Sequence, residues 1–203
     1  HDITTQVTDT AGNTGPVSLP QTVSIDTAAP NAPVINAPTN GAPVTGTGEP
    51  GATVTVTTPS GSTCTAVVQG DNTWSCTLAP SPSDGEDVSA SQTDPAGNTS
   101  PTTTETGGID TTPPGAAVIT GITNDTGVSG SDFVTNDNTL EFNGTGEPGA
   151  MVEVFVDGVS VGMALVDGSG NWVFDYTGTP LADGDHDITT QVTDTAGNTG
   201  PVS

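Results

Sequence analysis

Short runs in which apolar and hydroxyl residues alternate one by one account for most of this chain. Thr53–Thr58 reads Thr-Val-Thr-Val-Thr-Thr, and Val88–Ser91 alternates in the same way. A period of two places successive side chains on opposite faces, so each run predicts a strand with one buried face. Between the runs stand turn residues: Glu49-Pro50-Gly51, Pro59–Ser62, Gln69–Asn72 and Ser81–Gly85. The predicted strands of the first half are Ala32–Asn36, Pro43–Gly48, Thr53–Thr58, Thr63–Val68, Thr73–Leu78, Val88–Thr93 and Thr102–Ile109. In the second half they include Met151–Val156, Val159–Val166, Trp172–Tyr176 and Asp187–Thr193. No stretch carries a 3.6-residue apolar period, so no helix is expected, and no apolar run is long enough to span a bilayer.

The pattern repeats, and the repeats set the domain plan. His1–Ser18 and His186–Ser203 are identical, HDITTQVTDTAGNTGPVS, which makes the chain one unit of a longer array plus an overlap. GTGEPGA at Gly46–Ala52 returns at Gly144–Ala150, and Trp74 returns as Trp172 at the same offset of 98. Asp26–Pro30 returns as Asp110–Pro114 at an offset of 84, so the second repeat carries 14 extra residues between its first two strands. The predicted fold is all-β: tandem immunoglobulin-like β-sandwich domains of about seven antiparallel strands each. Residues 1–25 read as the C-terminal strand pair of a preceding repeat. Residues 26–109 read as one domain, and 110–203 as a second whose last strand is expected past Ser203. Two readings of residues 1–25 stand open: head-to-tail strand complementation, the leading hairpin of one copy supplying the edge strand missing from another, or a frayed N-terminal tail.

Charge narrows the partners. The chain has 24 acidic residues and neither Lys nor Arg, a net charge of −24. Without cations to neutralise phosphates, nucleic acid and anionic membrane surfaces are excluded. The neighbouring repeats are the expected partners. Mutual repulsion among the carboxylates calls for counter-charge, which divalent cations supply.

The candidate ligands come from a loop that occurs three times: TDTAGNTG at Thr8–Gly15, TDPAGNTS at Thr93–Ser100 and TDTAGNTG at Thr193–Gly200. A sandwich brings the domain start, the second turn and this loop to one pole. That groups Asp26, Glu49, Asp94 and Asn98 in the first repeat, and Asp110, Glu147, Asp194 and Asn198 in the second. Asp9 and Asn13 are the same positions in the leading copy. Oxygen-only donors of this kind fit Ca²⁺ better than a transition metal. The bland alternative is an exposed acidic turn. The insertion adds Asp125, Asp132 and Asp137 at the opposite pole, beside Asp183 and Asp185, which reads either as a solvated loop or as a second Ca²⁺ site.

Taken together, the Asp-Thr-Thr-Pro-Pro domain start, the GTGEPGA turn, the Gly170-Asn171-Trp172 hairpin and the terminal TDTAGN loop resemble the bacterial immunoglobulin-like repeats of giant adhesins. Those adhesins are RTX-type and exported by type I secretion. The resemblance implies an extracellular, cell-surface spacer, stiffened by Ca²⁺ at its domain junctions and projecting a ligand-binding tip. The first repeat departs from the pattern at Ala28-Ala29 and at Pro95 without losing a candidate ligand side chain.

Cys64 and Cys76 flank the Gln69–Asn72 turn. On neighbouring antiparallel strands they would suit a disulfide, and an exported chain oxidises such pairs. The second repeat has Gly162 and Phe174 there, a ring that could cover a glycine. The more apolar set Val161, Met163 and Leu165 argues for the opposite facing.

Two motifs suggest other chemistry and lack its setting. Gly158–Gly162 matches the G-x-S-x-G nucleophile elbow, but on a predicted hairpin and without a partner histidine. Asp183–Asp187 opens like an EF-hand loop, but Ile188 stands where glycine is needed. An enzyme is therefore not expected. The competing function is a carbohydrate- or surface-binding module, which would need exposed aromatic side chains.

Overall fold

The computed structural model describes residues 1–203 as strands joined by turns, with no helix. A leading hairpin pairs β1 (Asp2–Ile3) with β2 (Gln21–Thr22). The first domain follows with β3 (Val34–Asn36), β4 (Val44–Thr47), β5 (Thr53–Thr57), β6 (Thr63–Val67), β7 (Thr73–Cys76), β8 (Val88–Thr93) and β9 (Thr103–Glu105). The second holds β10 (Val118–Ile122), β11 (Glu141–Thr145), β12 (Met151–Val156), β13 (Val159–Leu165), β14 (Asn171–Asp175), β15 (Ile188–Thr193) and β16 (Thr199–Val202). Each domain thus has seven strands in two antiparallel sheets. The orders are β3-β4-β7 over β6-β5-β8-β9, and β10-β11-β14 over β13-β12-β15-β16.

Alternation explains the cores. In β5, Val54 and Val56 are fully buried while the threonines between them face water. In β12, Val152, Val154 and Val156 do the same. Each buried valine contributes about 1.5 kcal/mol or more. One large ring anchors each sandwich. Trp74 is 2 % exposed and Trp172 is 1 % exposed. Each lies opposite a glycine of the GTGEPGA motif, in the pairs Gly46–Trp74 and Gly144–Trp172. A Cβ at Gly144 would press on the Val118 carbonyl and come within 2.6 Å of the Trp172 ring. The recurring glycine is therefore the space the indole fills.

Three expectations change. The strand expected over Thr102–Ile109 stops at Glu105, because the chain turns at Gly107 and Gly108. Ile109 then swings across to form a parallel bridge with Thr39 at the bottom of the domain. The strand expected past Ser203 already begins inside the chain, as β16, which pairs with β15. Cys64 and Cys76 are joined with a Cα–Cα distance of 5.9 Å, but not as neighbours in one ladder. They stand on the facing edges of the two sheets, β6 and β7, so the disulfide staples the sandwich shut.

Candidate functional site

The signature loop has one geometry in all three copies. The Oδ1 atoms of Asp9, Asp94 and Asp194 accept the backbone N–H groups two and four residues on, at 2.8–2.9 Å. Their Oδ2 atoms accept the side-chain N–H of Asn13, Asn98 and Asn198, at 2.9, 2.8 and 2.8 Å. A glycine with positive φ lets the chain fold back, at 88° for Gly12, 98° for Gly97 and 92° for Gly197. The Asn98 side chain, followed by backbone N–H groups, holds the Asp94 carboxyl below its ordinary value against the opposing effect of burial. Asn13 lowers Asp9 in the same way.

The loop also grips the linker that enters its domain. Asn98 Nδ2 donates to the Asp26 carbonyl at 3.2 Å, and Asn198 Nδ2 to the Asp110 carbonyl at 2.9 Å. The sequence grouping of Asp26 with Asp94 and Asn98, and of Asp110 with Asp194 and Asn198, is therefore met in space. The linker aspartate takes part through its backbone, while its own Oδ1 accepts the N–H of Ala28 or Thr112. Glu49 and Glu147 sit in the turns nearby without hydrogen-bonding to this set. The Asp94 and Asp194 oxygens each accept N–H donors of their own loop. No three His, Cys, Asp or Glu side chains converge into a metal-holding cluster.

The junction between the domains is closed from both sides. Below the first domain, Thr39 accepts the Asp110 N–H through its carbonyl, and Asp84 Oδ1 accepts the Thr111 N–H at 2.7 Å. The Asn40 N–H donates to the Ala196 carbonyl at 3.1 Å, seating the second signature loop directly on the first domain. Three consecutive linker groups (the N–H and C=O of Asp110 and the N–H of Thr111) are thereby held by two different domains.

One residue of this pole carries no signal in the sequence. Gln92 is 2 % exposed, in a β8 position that alternation assigns to an apolar side chain. Its Oε1 accepts the Glu49 N–H at 3.0 Å and its Nε2 donates to the Asn31 carbonyl at 2.6 Å. It ties the domain start to the GTGEPGA turn. The second domain has Val192 there and does without the brace.

At the far pole of the second domain, the insertion folds on itself. Asn124 donates to Asp137 at 2.7 Å and holds that carboxyl low. Asp125 and Asp132 accept the N–H groups of Phe133 and Val134. A cleft of about 710 Å³ opens between the insertion and the Leu181–His186 loop, and Asp137, Asp183 and Asp185 all line it. His186 stands at its edge with Nδ1 2.7 Å from Asp157 and Nε2 3.0 Å from the Ala182 carbonyl. The Asp157 hydrogen bond, then the carbonyl, raises the His186 pKa. Ser160 of the G-x-S-x-G match lies on β13 and donates to Glu153, not to a histidine.

Two facing sheets with this strand order define immunoglobulin-like domains, and the sequence comparisons specify which kind. Residues 29–107 match the model of the bacterial Ig domain, and residues 113–203 that of the bacterial Ig-like domain. The chain belongs to the bacterial immunoglobulin-like domains. No curated protein matches it. Among solved structures, one described as "Structural insight into host cell surface retention of a 1.5-MDa bacterial ice-binding adhesin" is 27 % identical. It covers 96 % of this chain and 70 % of its own, with a TM-score of 0.31. The BSP domain of a biofilm-associated protein is 20 % identical over 85 % of this chain and 28 % of its own, with a TM-score of 0.34. A two-domain fibronectin type III segment of chicken tenascin is 16 % identical over 87 % and 97 %, with a TM-score of 0.32.

Proposed function

We propose that this chain is a spacer segment of a bacterial cell-surface adhesin, holding a ligand-binding tip away from the cell. The observation that carries this reading is the doubly gripped linker. Asp110 and Thr111 are fixed by Thr39, Asp84 and Asn198, so bending the junction breaks several hydrogen bonds at once. Exact recurrence of an 18-residue segment suits a protein whose requirement is length. The Cys64–Cys76 disulfide suits an oxidising, extracellular location. Both tryptophans are buried, which disfavours the carbohydrate-binding alternative, although Phe133 of the insertion is exposed.

Calcium enters this reading as counter-charge. With 24 acidic residues and no Lys or Arg, Ca²⁺ at the junction poles would relieve repulsion among Asp26, Glu49, Asp110 and Glu147. Small-angle scattering and thermal melting, each in Ca²⁺ and then in chelator, test both parts. An extended particle in both conditions supports the spacer, and Ca²⁺ is expected to raise Tm and stiffen the particle further. Identical curves remove calcium from the reading. A collapsed or freely bending pair of domains in Ca²⁺ removes the spacer itself.

A further inference from the structure

The two sandwiches turn the same face of their four-stranded sheet to solvent, and its chemistry differs between them. In the first domain the outward pairs are Thr53–Val67, Thr55–Thr65 and Thr57–Thr63, flanked on β8 by Thr93, Ser91 and Ser89. Every position but Val67 is a hydroxyl residue. The second domain pairs Met151–Leu165, Glu153–Met163 and Phe155–Ser160 instead, flanked on β15 by Thr193, Gln191 and Thr189. Alternation fixes the outward facing, because Val152, Val154 and Val156 between them are buried. Met163 and Leu165 are 61 % and 63 % exposed, Met151 is 38 % exposed, and Phe155 is half-buried. Side chains opposed across a ladder lie about 5 Å apart, so these four make one apolar patch around Glu153.

Glu153 restricts what can sit there. Its carboxylate accepts the Ser160 hydroxyl, and the chain has no Lys or Arg to pair with it. An uncharged apolar partner would take Glu153 out of water without a counter-charge, which is costly. A second copy would set one chain of net charge −24 against another. A partner with both apolar side chains and a cation meets neither obstacle. Met151, Met163, Leu165 and Phe155 receive its apolar part, and Glu153 receives the cation. Methionine suits such a surface, because its unbranched side chain adapts to the shape laid against it.

We infer that this face of the second domain docks a cationic amphipathic peptide segment. Met151 to Phe155 runs about 14 Å along β12, and β13 lies about 4.8 Å to one side. That footprint matches about two and a half turns of a helix with a diameter of about 10 Å. A lysine or arginine on the apolar margin of the helix reaches Glu153. The hydroxyl face of the first domain is the built-in comparison and takes no such peptide. The inference concerns a lateral face rather than the junction poles, so it stands apart from the spacer reading.

Fluorescence anisotropy of a labelled peptide of about fourteen leucines and lysines, spaced as an amphipathic helix, tests this on the whole chain in about 0.15 M salt. The peptide is expected to bind. A serine–lysine peptide of the same charge and a leucine–glutamate peptide of the same apolar pattern are each expected to bind at least about tenfold more weakly. Met151→Thr with Met163→Thr installs the residues of Thr53 and Thr65 at exposed positions. It is expected to weaken the leucine–lysine peptide at least about tenfold while both melting transitions stay in place. Glu153→Gln keeps an acceptor for Ser160 and is expected to weaken the same peptide about threefold or more. Absence of binding overturns the inference. Binding unchanged in either variant also overturns it, since attraction to the net charge then suffices. A chain that dimerises in sedimentation, and loses the dimer on the methionine substitutions, gives the face to a second copy and overturns it as well.

Discussion

The ring of Phe174 lies over Gly162 at the same place in the second sandwich where Cys76 is bonded to Cys64 in the first. A Cβ on Gly162 would fall 2.7 Å from the ring, and the residue has a φ of +152°. Both pairs link the edge strand of one sheet to the edge strand of the other, β13 to β14 and β6 to β7. The two domains close the same seam by different chemistry. Gly162→Ala is therefore expected to lower the stability of the second domain by about 1–3 kcal/mol through overpacking and backbone strain. Calorimetry, which separates the two melting transitions, checks this; an unchanged upper and lower transition would show that the ring does not rest on the glycine.

The matching experiment in the first domain removes the staple. The disulfide closes a loop with a sequence separation of 12. In the chain-entropy account such a loop contributes about 3 kcal/mol. Cys64→Ala with Cys76→Ala should lose that amount from the first domain and leave the second where it was. A loss shared equally by both transitions would mean that the domains unfold as one unit.

How much of this was legible beforehand depended on whether local rules governed the residue. Alternation placed Val54, Val56, Val152 and Val154, since a strand buried on one face has a single physical solution. The fold class and the seven-strand count came from that rule and from the turns. The ring over Gly162 was readable from the repeat offset, although Met163 and Leu165 argued the other way. Both turn out exposed, at 61 % and 63 %, because Ala164 and Gly162 leave the room inside that the ring needs. Gln92 was not readable. Its burial depends on two backbone groups, of Asn31 and Glu49, that are distant in sequence. The structure brings the Asp26 backbone to Asn98 and the Asp110 backbone to Asn198, yet proximity of acidic residues does not say whether their oxygens face a cation or neighbouring N–H groups. Only the hydrogen-bond geometry of Asp94 and Asn98 says that.

The junction predicts its own weak point. At the junction between the two domains, Asn198 bonds both its own loop aspartate and the linker carbonyl, as Asn98 does at the start of the first domain. Asn198→Ala should cost about 1–2 kcal/mol for two lost hydrogen bonds and loosen the angle between the domains. Scattering should record a broader distribution of end-to-end distances, whereas Asn13→Ala, the same substitution in the leading hairpin, should leave the internal junction unaltered. Equal effects of the two changes would place the junction's rigidity elsewhere.

The only histidine in either domain supplies a pH dependence of defined sign. Oxygen acceptors face both ring nitrogens of His186, so only the imidazolium can donate to Asp157 and to the Ala182 carbonyl together. The folded pKa is raised above its ordinary 6.5, and that of Asp157 is lowered below 3.8. A raised histidine contributes fully below its unfolded value and loses the contribution as the pH climbs through the folded one. A lowered aspartate contributes above its unfolded value and fades as the pH falls through the folded one. The pair is therefore worth most between these limits, from about pH 4 to about pH 6.5. His186→Gln should lower the Tm of the second domain at about pH 5.5 and do so progressively less by about pH 8.5. His1 is present in both proteins and cancels from the comparison. A difference in Tm that holds constant across this range would mean that His186 acts in the fold by packing alone, without its charge.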